Sequence, residues 1–145
     1  MNYTFTKYNS TDKEYFTLLD ESCYRPVVER QFGEWNIELQ NEFQNNKLQK
    51  LPLQIITFDN TRIGCIAFEK FSDHTFIHEI LIHPTFQGQG HGSNILKTIA
   101  KSSLEKSLPI KLQVLKQNLA INLYKRLGFK KTGTTETHFI MQKNA

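Results

Sequence analysis

Thr75-Phe76-Ile77-His78-Glu79-Ile80-Leu81-Ile82-His83-Pro84, running on into Thr85-Phe86-Gln87-Gly88-Gln89-Gly90-His91-Gly92, carries more structural information than any other stretch of this chain. The first half predicts a strand over 75–82 that ends at a proline turn. A glycine-rich loop follows. After Gly92 the apolar period changes, and Ile95, Leu96, Ile99 and Ala100 form one helical stripe while Lys97, Lys101 and Glu105 face outward. Strand, glycine loop and helix in that order make an anion site: glycines let the backbone approach a ligand, and the free N–H groups and dipole at the helix start favour phosphate oxygens. Two familiar phosphate loops are set aside, because no Gly-Lys-Ser/Thr is present and Gly88-Gln89-Gly90-His91-Gly92-Ser93 lacks the last glycine of the dinucleotide fingerprint.

Outward from this stretch, the alternation of Tyr3, Phe5 and Lys7 predicts a first strand, and Ser10-Thr11-Asp12 a helix start ahead of Tyr15, Phe16, Leu18 and Leu19. Pro26 predicts the start of a second helix, continued by Val27, Phe32, Trp35, Ile37, Leu39 and Phe43. Strands are expected at 53–58, 63–68 and 75–82, joined by short polar turns at Asp59-Asn60-Thr61 and Ser72-Asp73-His74, which argues for an antiparallel meander. Ile110, Leu112 and Val114 read as another strand. Ala120, Leu123, Tyr124 and Leu127 then line a short helix that stops at Gly128, and 129–132 and 137–141 give two more strands. The fold class is α/β (α+β): one domain over 1–145, with a mixed, mostly antiparallel sheet of six to seven strands and about four helices.

Bulk properties narrow the function classes. The net charge of +4 comes from scattered lysines, with Lys125-Arg126 and Lys130-Lys131 bracketing a helix end, so no basic face for nucleic acid is expected. No stretch approaches the roughly 20 apolar residues of a membrane span. Cys23 and Cys65 lie far apart, form no CxxC pattern and follow no leader-like start, which reads as a reduced, cytoplasmic protein. The histidines make no metal-ligand pattern, so no metal is expected.

The phrase HPTFQGQGHG, with Gln87, Gly90 and Gly92 following a strand that ends Ile82-His83-Pro84, resembles the pyrophosphate loop of the Gcn5-related N-acetyltransferase (GNAT) family. Leu123-Tyr124-Lys125-Arg126-Leu127-Gly128-Phe129 resembles that family's second signature, and the closing Thr134 to Met141 resembles the end of a common bacterial branch. The two signatures together span 76–130. The resemblance implies acetyl-CoA as cofactor and direct acetyl transfer to an amine of a small molecule, peptide or protein. It leaves open a module that senses acyl-CoA without turnover, and an acyl donor other than acetyl-CoA. A homodimer is implied by resemblance alone.

Carried over residue by residue, the resemblance implies that Gln87, Gly88, Gln89, Gly90, His91, Gly92 and Ser93 hold the pyrophosphate through their backbone, and that main-chain groups of Ile80, Leu81 and Ile82 pair with the pantetheine arm. Asn118 resembles the asparagine that contacts that arm, with Gln117 as competitor. Tyr124 resembles the tyrosine that protonates the departing thiolate. For the general base, His78 ranks first and Glu79 second, since neighbours in a strand face opposite ways unless a bulge intervenes; many relatives use water, and Phe76 stands where histone-acetylating members carry a glutamate. His138 matches a Thr-His-aromatic run beside the acceptor pocket. Trp35, with Phe32 and Tyr24, stands as an acceptor wall, although core packing alone also accounts for it.

Overall fold

A computed structural model describes residues 3–144, apart from the Leu104 side chain. In chain order the elements are β1 (Tyr3–Lys7), α1 (Lys13–Phe32), α2 (Ile37–Lys50), β2 (Leu53–Phe58), β3 (Thr61–Lys70), β4 (Thr75–Ile82), α3 (His91–Glu105), β5 (Ile110–Leu115), α4 (Ala120–Arg126), β6 (Lys130–Thr134) and β7 (His138–Lys143). The described strands make one sheet in the order β1-β2-β3-β4-β5-β7-β6. Only β4 and β5 are parallel, joined through α3; every other neighbouring pair is antiparallel. The expected mostly antiparallel sheet with four helices is therefore present. Asp59 and Asn60 both take positive φ (48° and 65°), the conformation of a two-residue hairpin turn whose twist matches its strands.

The N-terminal helices differ from the expectation. Pro26 starts no helix: it sits inside α1, which ends seven residues later at Gly33, where φ is +91°. The proline removes the bond to the Ser22 carbonyl, but both residues lie on the solvent side, where water can serve that group. The buried face of Phe16, Leu19, Val27 and Val28 runs on through it and holds the helix together. The pattern read through Phe43 is no core face either. Phe32, Ile37, Leu39 and Phe43 are 44–65% exposed, and Gln44 is the one residue of α2 that is buried.

The sheet is divided in function though continuous in pairing. β4 meets β5 only at Thr75–Ile110, Phe76–Lys111 and Ile77–Leu112, whereas β4 stays paired with β3 to Ile82 and β5 with β7 to Leu115. The two strands splay apart from His78 onward. A bulge lies at that point: Ala67 pairs with Glu79 and Phe68 with Ile77, leaving His78 as the extra residue. An inserted residue bends its strand and shifts the side-chain alternation. Ile77 accordingly packs in the cluster formed with α3, α4 and β5, while Leu81, of the same parity, packs with Phe16 and Leu19 of α1. Across the far end of the gap α1 ties both banks together: Arg30 donates to the Gln117 carbonyl (3.0 Å), Gln31 donates to that of Thr137 (2.8 Å), and the Gln117 N–H donates back to Gln31 (3.0 Å).

Candidate active site

The register of β4 determines which of its backbone groups face the gap. His83 N–H donates to the Ile63 carbonyl (2.8 Å), so the Gly64–Ile82 pair is of the non-hydrogen-bonded kind. The N–H and C=O of Ile82, and two residues earlier those of Ile80, therefore turn away from β3 toward the opening, while those of Leu81 turn to β3. The Ile82 carbonyl already accepts from the Gln87 side chain (2.8 Å) and from the Cys23 thiol (3.2 Å). An inner strand edge with free amides is a template for an extended ligand.

At the end of that edge Pro84–Phe86 make a 3-10 turn, Gln87 caps it, and Gly88 and Gly90 take φ of +75° and +88°. These two positions need glycine for conformation, since a side chain at Gly88 would meet nothing within 4 Å and one at Gly90 only the end of Asn94. α3 opens at His91, two residues sooner than a helix beginning after Gly92, with Asn94 N–H bonded to the Gly90 carbonyl. The N–H groups of His91, Gly92 and Ser93 form its first turn, where no carbonyl of the same helix serves as acceptor. The His91 ring turns the other way: it is 8% exposed, its Nδ1 lies 2.8 Å from the Tyr3 hydroxyl, and it packs on Phe58. At Gly92 an added Cβ would come within 3.2 Å of Leu123, so α4 lies directly against the start of α3.

That contact places Tyr124 at the gap. Its ring is 7% exposed and packs edge-on to Phe129 at 5.8 Å, yet its hydroxyl has no hydrogen-bond partner among the described residues. Burial, reinforced by the nearby Glu79 carboxylate, holds the phenol well above its usual pKa, so it stays protonated at neutral pH. Asn118 supports α4 by accepting the Ala120 N–H on its side-chain oxygen (2.9 Å), which leaves its NH2 for other partners.

The bulge in β4 separates the two base candidates by surroundings. His78 Nε2 is 2.7 Å from Glu69, and its ring lies 4.8 Å from that of Phe76. Glu79 is buried between α1, α2 and β4, where Tyr24 donates to both its oxygens (2.9 and 3.1 Å) and Lys47 approaches to 3.1 Å. Lys47 also bonds Asp20 at 2.8 Å, and Gln44 donates to the other Asp20 oxygen at 3.0 Å. Burial raises the Glu79 carboxyl above its ordinary range, with Lys47 opposing and Asp20 adding to the shift. The same burial pushes the Cys23 and Cys65 thiols up to about 12, which removes either as a thiolate nucleophile. Sequence reasoning misses Asp20, Gln44 and Lys47. The signal for Asp20 was present, since it falls on the Phe16, Leu19, Cys23, Val27 face of α1. Of the two acceptor-side residues, Trp35 sits half-buried in the α1–α2 turn, and His138 opens β7 with Nδ1 2.7 Å from the Thr137 hydroxyl, its pKa lowered by burial.

Residues 53–131 match the acetyltransferase (GNAT) domain family, more than half of the chain. The chain belongs to the GNAT acetyltransferase family. Acetyl-CoA is the acyl donor of that family. The GNAT fold is shared with the PaiA N-acetyltransferase of Thermoplasma acidophilum, solved with coenzyme A (TM-score 0.79, 19% identity, 100% of each chain). It is shared also with a Pyrococcus horikoshii protein (0.74, 24%, 99% of each) and a Thermus thermophilus acetyltransferase (0.74, 13%, covering 100% of this chain and 98% of that one). No curated protein matches the chain. No described helix is long and apolar enough to cross a membrane, and no group of three or more metal-ligating side chains occurs among the described residues.

Proposed function

We propose that this GNAT protein is an acetyl-CoA-dependent N-acetyltransferase that transfers the acetyl group directly to an amine. The observation that carries the reading is the meeting, at one gap, of three features: the free edge of β4, the glycine loop at the start of α3, and the unpartnered hydroxyl of Tyr124. The backbone of Ile80 and Ile82 would hold the pantetheine arm, and the amides of 88–93 the pyrophosphate. When bound, the coenzyme supplies an activated thioester acyl group.

The protein's own groups divide the remaining work. Glu79, raised above the usual carboxylate range yet still able to ionise, accepts the proton of the incoming ammonium at Oε1 or Oε2. Tyr124 holds its proton at the end of the gap, where a departing sulfur needs a donor. Because a phenol near ~10 is already a weaker acid than an ordinary thiol near ~8.5, and burial widens the difference, its main contribution is a hydrogen bond to charge as it develops. A sensor without turnover has no use for a hydroxyl at the gap that lacks a hydrogen-bond partner among the described residues. Thiol release over a panel of polyamines, amino acids, aminoglycosides and peptides tests the reading. Release with one amine class is expected, and tight coenzyme binding without release from any amine would establish the sensor instead.

Two further outcomes are expected. Gly90→Val should weaken coenzyme A binding about tenfold or more by calorimetry, since a β-branched residue at φ +88° costs about 1–3 kcal/mol and tilts the loop amides. The pH profile should show an acid limb in kcat/KM above the ordinary carboxylate range. Below the raised pKa Glu79 is protonated and cannot take the ammonium proton, so the rate falls as pH falls. Burial is the main cause of this raised pKa; Lys47 on α2 opposes it, Asp20 on α1 adds to it and the Tyr24 hydroxyl on α1 opposes it. Glu79→Gln should remove the limb and most of the activity, while retention of both by the variant would assign the base elsewhere.

A further inference from the structure

From Pro84 to Asn94, the stretch that carries the glycine loop and the first turn of α3, His91 is the only buried residue. The loop glycines bring no packing of their own: a side chain at Gly88 would meet nothing within 4 Å, and one at Gly90 only the end of Asn94. Ile95, Leu96 and Ile99 hold the body of α3 on the sheet, beginning one turn further along. The seat of the His91 ring is therefore the side-chain anchor of the loop end of the helix. Residues remote in sequence make that seat. Tyr3 of β1 meets the ring edge-on at 5.8 Å and Phe58 of β2 at 4.8 Å, while Tyr3 and Phe58 lie 4.9 Å apart.

A histidine buried in this way needs a polar partner, since a ring nitrogen taken from water and left unpaired costs more than a hydrogen bond returns. Tyr3 supplies it. Its hydroxyl lies 2.8 Å from His91 Nδ1 and 3.5 Å from the Asn94 side-chain amide, so one hydroxyl touches two residues in the first turn of α3. Aromatic contact alone leaves an imidazole able to turn over in its seat, whereas a hydrogen bond at Nδ1 selects one orientation. The ring and the N–H of His91 share an α-carbon, so a ring held in one orientation also restrains the direction of the N–H. β1 is an outer strand paired with β2, and through Tyr3 it reaches a loop 88 positions away in sequence.

We propose that Tyr3 is a positioning residue for coenzyme binding: through His91, its hydroxyl holds the amides of His91, Gly92 and Ser93 in the direction that the pyrophosphate requires. The inference rests on the acetyl-CoA reading above and adds to it a residue that reaches the loop from the outer strand of the sheet. Donors already aligned bind without first being ordered, so loss of the hydroxyl shows as weaker affinity.

Calorimetric titration of coenzyme A into wild type, Tyr3→Phe, His91→Phe and the double variant tests this role, with a melting curve on each protein. Tyr3→Phe keeps the ring against Phe58 and removes only the hydroxyl. Its Kd should rise about fivefold, the worth of one hydrogen bond, while its Tm falls by no more than a few degrees. His91→Phe keeps an aromatic ring in the seat and removes both nitrogens, and its Kd should rise by at least as much. The double variant should bind as His91→Phe does, because the hydroxyl acts through the imidazole; independent effects would instead multiply, to about 25-fold or more. An unchanged Kd in Tyr3→Phe overturns the role even if its Tm falls, because a hydroxyl kept only for stability moves Tm alone. Multiplication in the double variant overturns it too. Should His91→Phe not fold, the Kd of Tyr3→Phe decides by itself. Failure of wild type to bind coenzyme A would overturn the acetyl-CoA reading and this role with it, whereas wild-type binding matched by Tyr3→Phe overturns the role alone.

Discussion

Tyr124→Phe should lower kcat about 100-fold or more, the magnitude of one lost hydrogen bond to developing charge, with coenzyme A affinity within about twofold of wild type. The substitution keeps the ring on Phe129 and Ile121, so the packing of α4 survives. It also deletes a hydroxyl with no hydrogen-bond partner among the described residues, so thermal stability should hold. That combination separates the proposed role from a structural one, because a tyrosine kept for packing or for an internal hydrogen bond would show the opposite pair: unchanged turnover and a lower Tm. Steady-state kinetics and a melting curve on the same preparation check both halves.

Gly64→Ala should be the most damaging glycine replacement outside the loop. A Cβ at Gly64 would stand 2.0 Å from the Leu81 carbonyl oxygen and 3.2 Å from the Ile82 Cα, both backbone atoms of the partner strand. No rotamer relieves such a contact, so β3 and β4 must separate. A cost of about 3 kcal/mol is expected, the upper end of overpacking, or a fall of roughly 10 °C in Tm for a chain of this length. Since Gly64 pairs with Ile82, the displaced edge is the one proposed to receive the coenzyme, and binding should weaken as well. A variant that melts like wild type would mean that β4 has room to move at this point.

Much of this organisation was legible in the sequence, and the exceptions have physical causes. β4 and the helix after Gly92 stood out because period-2 and period-3.6 patterns meet there with glycines between them, and the bounds 75–82 were recovered as read. The end of α1 departs from the sequence reading because Pro26, a start signal in a first turn, is exposed here, and a continuous buried face outweighs one lost hydrogen bond. The splay of β4 from β5 was invisible: it depends on a bulge at His78 whose cause is the pairing register with β3, a non-local relation. The same holds for the buried polar cluster around Glu79. Asp20 on an apolar helical face was a readable signal, but nothing in the order of residues brings Lys47 of α2 to Glu79 of β4.

Amide hydrogen exchange followed residue by residue with and without coenzyme A tests the central claim most directly, namely that the coenzyme pairs with the free edge of β4. Ile80 and Ile82 N–H face the gap and should slow about tenfold or more on binding, while Leu81, already committed to β3, should change little. Protection that alternates in this way along β4, together with slowing in 88–93, is the predicted result. Binding that leaves Ile80 and Ile82 exchanging as in the free protein would contradict it.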